Sequence, residues 1–315
     1  MSDSKEIHTQ WIRSLALELG FLACGISQAT ELVDEARDLK KWLEEGRHGE
    51  MSYMANHFEK RTDPRKLVEG TRSVVSVLYN YYTDEEPGDP TIKISRYAYG
   101  RDYHEIVKKK LWTLFHQLEE KIPGLQGRAF VDSAPVMDKA WAQHGGLGWI
   151  GKNTNLINKH HGSYVFIGEL LLNVELVYDN PVRDLCGNCT RCIDACPTEA
   201  LAPYKIDGSK CISYQTIERR GELTKENTPD FDQWIFGCDV CQQVCPWNLK
   251  ARPHNEPLFR PHPDLLSMTA SQWRELSVEQ FRELFRKSAV KRTKYQGLMR
   301  NIRYVKPNPG STQTT

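Results

Sequence analysis

Apolar residues in the N-terminal half recur three or four positions apart in three stretches, which predicts three amphipathic helices. These helices are expected at residues 5–19, at Leu32–Leu43 and at His104–Ile122. Two other stretches, Ser73–Tyr82 and Ser163–Val177, are rich in β-branched and aromatic residues and predict strands. The second of them is long enough for one strand or for a pair.

A shorter apolar stretch, Gly127–Val131, predicts a strand that ends at Asp132, and Met137–His144 predicts a helix after it. This mixture indicates an α+β protein with an N-terminal α/β domain over residues 1–180. All but one of the cysteines lie between residues 186 and 245, which predicts a separate module at 181–250.

The last segment, 251–315, opens with closely spaced prolines and is predicted to be helical. Ser277–Gln280 has the pattern of a capping box, which predicts the start of one of its helices. Its final residues, NPGSTQTT, are predicted to be disordered because they contain no apolar side chain.

Composition narrows the class of protein. The chain has 315 residues, 39% of them hydrophobic, and a formal net charge of +1, which fits a globular protein. No apolar run approaches the roughly 18 residues that a membrane helix needs, and the polar N-terminus has no apolar signal core. We therefore expect a cytoplasmic protein without a membrane partner, in which nine cysteines indicate metal binding or catalysis rather than disulfides.

The cysteine spacing predicts two [4Fe–4S] clusters. Cys186-x2-Cys189-x2-Cys192-x3-Cys196-Pro has the spacing of bacterial ferredoxins, in which the fourth cysteine binds the other cluster. A second run, Cys238-x2-Cys241-x3-Cys245-Pro, lacks its first cysteine, and Cys211 can replace it. One cluster is thus assigned to Cys186, Cys189, Cys192 and Cys245, and the other to Cys196, Cys211, Cys238 and Cys241.

Zinc is the alternative metal, because C-x2-C pairs are common in zinc sites. Zinc would explain two pairs of ligands but not a triple run followed by x3-Cys-Pro and repeated almost in full. The ninth cysteine, Cys24, lies in an apolar stretch and is predicted to be a small buried side chain rather than a ligand.

Residues 146–151 match G-x-G-x-x-G, and with Lys152 and Asn153 they nearly match a P-loop. A dinucleotide site needs a strand before this motif and an apolar helix after it, whereas here a predicted helix precedes it and a polar stretch follows. Asn153 also replaces the hydroxyl residue that binds Mg²⁺ in P-loops. Two interpretations stay open: the glycines bring backbone amides close to a large cofactor, or they form a tight loop.

Three segments, together with the cysteine module, resemble the epoxyqueuosine reductases. They are Arg96–His104 (RYAYGRDYH), Val131–Val136 (VDSAPV) and Gly148–Asn153 (GWIGKN). The resemblance extends over about residues 5–305. This family is related to the reductive dehalogenases, and its longer members continue into a C-terminal helical repeat, whereas this sequence stops soon after Asn301.

The resemblance implies a cobalamin in a nitroreductase-like N-terminal domain, followed by a ferredoxin-like module with two [4Fe–4S] clusters and a short helical C-terminus. It also implies the two-electron reduction of epoxyqueuosine to queuosine in a tRNA anticodon loop. The partners would be the anticodon stem-loop that carries epoxyqueuosine and a low-potential electron donor such as flavodoxin or ferredoxin.

By the same resemblance, Asp132 is the proton donor to the epoxide oxygen. Its place after an apolar strand suggests a buried carboxyl group with a raised pKa, although it could simply cap the following helix. The residues expected to contact cobalamin lie in loops near it and after Cys211. They are Asp132, Ser133, Ala134, Lys152, Asn153, Thr154, Leu156, Ser213 and Gln215.

Two other functions remain possible at this point: a dehalogenase-like cobalamin reductase of a small organic substrate, or a ferredoxin-like electron carrier. A carrier would not need about 180 residues before its cysteines. From Arg286 onward the chain has eight Lys and Arg residues and no Asp or Glu. This cluster predicts a surface for tRNA phosphates, or else a solvated helix face.

Overall fold

The computed structural model describes residues 2–89 and 91–305. The helices of this part are α1 (Ser2–Glu18), α2 (Val33–Glu44), α3 (Phe58–Thr62), α4 (Pro64–Leu67), α5 (Tyr103–Glu119), α6 (Asp138–His144), α7 (Arg191–Asp194), α8 (Ile212–Ile217), α9 (Val240–Gln243), α10 (Pro263–Ser267), α11 (Ala270–Arg274), α12 (Val278–Leu284) and α13 (Lys294–Tyr304). The strands are β1 (Ala23–Gln28), β2 (Ser73–Asn80), β3 (Lys93–Ile94), β4 (Gly127–Phe130), β5 (Trp149–Ile150), β6 (Leu156–Ile157), β7 (Val165–Leu172), β8 (Leu201–Ala202), β9 (Lys205–Ile206) and β10 (Trp234–Phe236).

A four-stranded sheet with the order β1-β2-β7-β4 organises the N-terminal half, and all its pairs are antiparallel. The fold is therefore α+β, and the α/β domain predicted for this half is wrong in the sense of a parallel sheet. Helices cover both faces: α1 and α5 pack on one, and α6 packs on the other. A strand that is buried on both faces shows a continuous apolar run instead of alternation, which explains the nearly unbroken apolar sequence of β2.

A second core joins regions that are distant in sequence. It contains Ile94 of β3, Phe236 of β10 and Leu298 of α13, all at most 2% exposed. The parallel pair β3–β10 links the N-terminal half to the cysteine segment. The C-terminal helices thus pack on the rest of the chain, so the boundaries predicted near residues 180 and 250 are crossed by a shared core.

Most of the predicted elements are present. The three predicted amphipathic helices correspond to α1, α2 and α5, and Ser163–Val177 forms one strand, β7. The capping box at Ser277–Gln280 is formed at the start of α12. The tail NPGSTQTT, predicted to be disordered, lies outside the described residues. Among the residues described, no helix combines the length and the apolar character needed to cross a membrane.

The glycine-rich stretch leads into the hairpin β5–β6, not into a helix, so it has the geometry of neither a dinucleotide site nor a P-loop. Its glycines allow backbones to pack closely. A Cβ atom on Gly148 would lie 2.3 Å from the carbonyl oxygen of Ile157, and one on Gly146 would lie 2.8 Å from that of Asn180. These contacts favour the tight-loop interpretation of the motif.

Candidate active site

The first group of cysteines surrounds the loop 186–192 and the end of α9. The pKa of Cys192 is raised by burial and then by three neighbouring thiols, those of Cys245, Cys186 and Cys189. Cys245 is buried, and its pKa is raised by burial and by the thiols of Cys186 and Cys189. The indole N–H of Trp149 donates a hydrogen bond of 3.4 Å to Sγ of Cys186. These four cysteines therefore lie near one another in the structure.

The second group lies deeper. Burial raises the pKa of Cys241 to about 12, and Cys211 is the thiol with the strongest effect on it, with Cys192 and Cys196 further contributors. Cys238 has a raised pKa from burial and from Cys241 and Cys211. Cys211 also has a pKa raised by burial, which hydrogen bonds from Ser213 oppose. Metal binding would replace the protons of such thiols.

The two groups are looser than the site of a single ion. Within residues 2–89 and 91–305, no three Cys, His, Asp or Glu side chains are close enough to share one metal ion. In a four-iron cube each thiolate binds a different iron atom. Cys24 lies on β1 and packs against the main core, and burial raises the pKa of its thiol to about 12.

The turn between β5 and β6 is bonded to both cysteine groups. The ammonium of Lys152 donates hydrogen bonds to the carbonyl oxygens of Gly187 (2.7 Å) and Cys189 (3.1 Å). The side-chain amide of Asn153 donates to the carbonyl oxygen of Cys241 at 3.3 Å. This turn therefore fixes the cysteine loops against the N-terminal half.

Asp132 lies on the turn after β4, and its backbone is left-handed, with φ of 44°. Its side chain is 68% exposed, so the burial expected from the sequence is wrong. The apolar strand ends at Phe130, and the turn carries Asp132 out of the core. The hydroxyl of Tyr103 donates a hydrogen bond of 2.6 Å to Oδ2 of Asp132.

His104 stands beside this carboxyl group, with Nε2 at 4.0 Å from Oδ2 of Asp132. Its other ring nitrogen, Nδ1, is 2.6 Å from Oδ1 of Asp102. Burial lowers the pKa of His104, but the hydrogen bond and charge of Asp102 and the charge of Asp132 outweigh burial and raise it. Asp132 thus has a hydroxyl donor and an imidazole next to it.

Lys139 of α6 is a site residue that the sequence did not reveal. Its ammonium donates a hydrogen bond of 3.0 Å to the carbonyl oxygen of Thr154, whose backbone is also left-handed, with φ of 62°. Burial lowers the pKa of Lys139, and the charges of Asp132, Cys241 and Cys211 oppose that effect. Lys139 is exposed to solvent, and we call the surface bounded by Lys139, Asp132, Thr154 and the second cysteine group the cleft. Lys139 therefore connects Asp132 with the second cysteine group.

Family models match two parts of the chain. Residues 61–133 match "Epoxyqueuosine reductase QueG, DUF1730", and residues 185–248 match a "4Fe-4S double cluster binding domain". An epoxyqueuosine reductase of Cellulophaga algicola is 56% identical over 305 residues, which are 96% of this chain and 100% of that protein. The chain belongs to the epoxyqueuosine reductase family.

Solved structures of epoxyqueuosine reductases share the fold. One is a complex with an epoxyqueuosine-modified tRNA-Tyr stem loop, with a TM-score of 0.84 and 27% identity over 94% of this chain and 80% of that chain. A catabolic reductive dehalogenase, with a TM-score of 0.50 and 14% identity over 93% of this chain and 35% of its own, resembles it in fold alone. The matched double-cluster domain spans both cysteine groups, so the chain carries two [4Fe–4S] clusters.

The remaining residues that an epoxyqueuosine reductase was expected to use for cobalamin fall into two sets. The first set lies at the cleft. Ser133 and Ala134 follow Asp132 in the chain, and the carbonyl oxygen of Thr154 accepts a hydrogen bond from Lys139. Ser213 forms hydrogen bonds with the thiol of Cys211. The second set is buried: Leu156 packs in a small hydrophobic core and is 3% exposed. Gln215 is 4% exposed, and its side chain is bonded to Ser209 and Arg219.

The cleft suits a large polar cofactor between Asp132 and the second cysteine group. It has a cationic side chain, Lys139, left-handed turns at Asp132 and Thr154, and an aromatic side chain, Tyr97. The ring of Tyr97 packs edge-on against that of Tyr103, with 6.1 Å between ring centroids, and Tyr103 is bonded to Asp132. These side chains fit the cobalamin that the resemblance implied.

The basic C-terminal cluster is less uniform than its sequence suggested. Arg292 makes a two-pronged ion pair with Glu218, at 2.6 and 3.1 Å. Arg300 donates hydrogen bonds to the carbonyl oxygens of Gln215, Arg219 and Gly221. Both arginines are therefore engaged within the fold. Lys306 lies outside the described residues.

Proposed function

We propose that this protein reduces epoxyqueuosine to queuosine in the anticodon loop of a tRNA, with cobalamin and two [4Fe–4S] clusters. The observation that carries this proposal is the cleft that holds Asp132 and the second cysteine group together, with Lys139 interacting with both. The solved complex of a relative with an epoxyqueuosine-modified stem loop supports tRNA as the substrate.

The reaction consumes two electrons and two protons, and the epoxide oxygen leaves as water while the ring becomes a cyclopentene. Cobalamin, when bound, supplies the reducing centre that opens the carbon–oxygen bond. The chain's own groups must deliver electrons, hold the substrate and protonate the oxygen, because an alkoxide is a poor species to release.

Asp132 is the proposed proton donor to that oxygen. Its carboxyl group is accessible from the cleft, and Tyr103 fixes the position of Oδ2 through a 2.6 Å hydrogen bond. His104, within 4.0 Å of the same oxygen, is placed to return a proton to Asp132 after each turnover. A positioned acid of this kind contributes roughly 10²–10⁴-fold to the rate.

The cluster ligands are proposed as their spacing predicts. Cys186, Cys189, Cys192 and Cys245 would bind the outer cluster, and Cys196, Cys211, Cys238 and Cys241 the inner one. The loop around Cys186–Cys192 is exposed at several positions, which suits the entry of electrons from a low-potential donor such as flavodoxin or ferredoxin. The inner group faces the cleft through Cys211 and Cys241.

For cobalamin we propose contacts from Asp132, Ser133, Ala134, Asn153, Thr154 and Ser213, with Lys139 in addition. Lys152 would act indirectly, since its ammonium is bonded to the outer cluster loop. Leu156 and Gln215 would support the cleft from the core. The proposed parts remain a catalytic domain at 1–180, a cluster domain at 181–250 and a helical segment at 251–315, in the cytoplasm.

A basic cavity of about 610 Å³ is the proposed contact for tRNA phosphates. Arg101, Arg260, Arg286 and Lys287 line it, and Glu283 is the acidic residue among its lining side chains. It lies next to Asp102 and Tyr103 in sequence, and the amide of Asp102 donates to the carbonyl oxygen of Lys287 at 2.6 Å. Two residues of the predicted basic cluster, Arg286 and Lys287, thus belong to this surface.

Nucleoside analysis of tRNA tests the function directly. A strain that lacks the gene should accumulate epoxyqueuosine, the intact gene should restore queuosine, and the gene with Asp132→Asn should not. Queuosine in the deletion strain at the normal level would overturn the proposal, as would a purified, fully loaded enzyme that reduces a small halogenated substrate but leaves tRNA unchanged.

A further inference from the structure

Two acidic side chains lie beneath the turn that carries Asp132. Glu169 sits in the middle of β7, opposite Ser76 of β2 and Phe130 of β4, and is 0% exposed. Asp138 begins α6, the helix that packs on this face of the sheet. Asp138 as a residue is half-buried, but its Oδ1 atom is inaccessible to solvent.

The two carboxyl groups hydrogen-bond to each other. As carboxylates both would be acceptors, and among the described residues no donor reaches either oxygen of Glu169 or Oδ1 of Asp138. Two carboxylates that contact each other in a buried site cannot both stay charged, so the pair must share a proton. That proton supplies the missing donor.

The proton belongs on Glu169. Burial, followed by the charge and hydrogen bond of Asp138, raises the pKa of Glu169 well above its ordinary value. The hydrogen bond acts in the opposite direction on Asp138, where it favours the ionised form. Glu169 is thus the donor and Asp138 the charged acceptor.

Asp138 also reaches the catalytic turn. Its carboxylate accepts hydrogen bonds from its own backbone N–H and from that of Asp132. The left-handed backbone of Asp132, at φ of 44°, is unfavourable for a residue with a side chain and persists only when its surroundings hold it. An anionic acceptor at the amide of Asp132 is such a restraint.

We propose that Glu169 and Asp138 are positioning residues for Asp132: Glu169 donates to Asp138, and the Asp138 carboxylate holds the backbone N–H of Asp132. The inference rests on the proposed role of Asp132 as the proton donor and adds how its turn is kept in place. Neither residue of the pair touches the reacting atoms.

The restraint should depend on pH. Charged and titratable groups that face the pair are Asp132 itself, Arg61 of α3, Tyr103 of α5 and Lys139 of α6. Burial raises the pKa of Asp138 to about 6, against the hydrogen bond from Glu169. Below that pH a neutral Asp138 is a weaker acceptor, and the turn should loosen.

Hydrogen exchange of the amides in segment 131–137 tests the restraint without tRNA or cobalamin, in protein that holds both clusters. Exchange is divided by the chemical rate at each pH, so that only the opening of the turn is compared. Glu169→Gln keeps a donor to Asp138 and should exchange like the unsubstituted protein. Glu169→Leu removes the donor and should exchange about tenfold faster, the effect of one buried hydrogen bond.

Turnover gives a second measurement. Glu169→Leu should lower kcat by about the same factor while the KM for tRNA holds, and Glu169→Gln should restore it. If Glu169→Leu does not fold, Asp138→Asn replaces it: the extra exchange of the unsubstituted protein below about pH 6 should be absent.

Equal exchange in Glu169→Leu and Glu169→Gln overturns the inference, even in an active enzyme. So does a pH dependence that survives in Asp138→Asn. Failure of the proposed function has a different signature: no reduction of tRNA by any form of the protein, with the exchange differences intact.

Discussion

The Tyr103 hydroxyl donates a hydrogen bond of 2.6 Å to Oδ2 of Asp132. Tyr103 is 9% exposed, and its ring stacks on Phe166 with 4.1 Å between ring centroids. Burial and then the charge of Asp132 raise its pKa well above the ordinary value, so it stays a donor. A rigid side chain from α5 thereby orients a carboxyl group on an exposed turn.

Replacing Tyr103 by Phe should therefore impair catalysis without harming the fold. The stack on Phe166 is kept, and only the hydrogen bond to a charged group is lost, which corresponds to about tenfold or more in kcat. Single-turnover rates with modified tRNA measure the effect. Tyr53→Phe, which removes the hydroxyl of a tyrosine that is 41% exposed, is the matched control. Equal rates in both variants would argue against the orienting role of Tyr103.

Asp132→Asn should abolish turnover and leave both clusters and bound cobalamin in place. The amide has nearly the same shape but cannot give an acidic proton to the departing oxygen, so the loss should be roughly 10²–10⁴-fold. Cobalt and iron content, measured beside the rate, separate catalysis from binding. Loss of cobalamin in this variant would make Asp132 a binding residue instead.

The cluster assignment predicts different outcomes for two cysteines. Intact protein, reconstituted without oxygen, should hold about eight iron atoms from two cubes. Cys211→Ala should retain about half of the iron because Cys211 completes the inner group. Cys24→Ala, the control, should retain all of it, since its thiol packs against the main core. Full iron in Cys211→Ala would refute the assignment.

The buried pair also predicts how stability varies with pH. A carboxyl group whose folded pKa is raised contributes stability that is present below its unfolded pKa and is lost as pH rises through the folded value. Glu169 is such a group. Thermal unfolding of Glu169→Gln should therefore lose less stability toward alkaline pH than the unsubstituted protein. Glu175→Gln, at an exposed ion pair with Lys5, is the control. Parallel curves of stability against pH for Glu169→Gln and the unsubstituted protein would contradict the shared proton.

Local patterns in the sequence predicted much of this arrangement. Helical periodicity located α1, α2 and α5, and cysteine spacing alone gave the two proposed groups of cluster ligands. What the sequence could not show depends on contacts between distant residues. Glu169 is one acid within an apolar run, and only the packing of α6 on β7 pairs it with Asp138.

The same limit applies to Lys139 and to the basic C-terminus. Nothing near Lys139 in the sequence marks it as a residue of the cleft, because its neighbours there come from the turn at Asp132 and from the cysteine module. Charge counting treated Arg292 as a free cation, whereas Glu218, far away in sequence, binds it. Exposure and pairing of charges are properties of the fold.

The tRNA surface can be tested through its salt dependence. Replacing Arg101, Arg260 and Arg286 by Ala removes three cations from the basic cavity. If each contacts a phosphate, the slope of log affinity against log salt should fall by about 2–3, at roughly 0.7–0.9 per contact. Cluster and cobalamin contents should not change, because none of the three lies in those sites.

A matched triple variant on the exposed side of α2, with Arg37, Lys40 and Lys41 changed to Ala, removes the same charge from another surface. It should lower affinity slightly through the overall field and leave the slope nearly unchanged, since counterion release follows direct phosphate contacts. A steeper loss in the α2 variant than in the cavity variant would place the tRNA at α2 and exclude the cavity around Arg286.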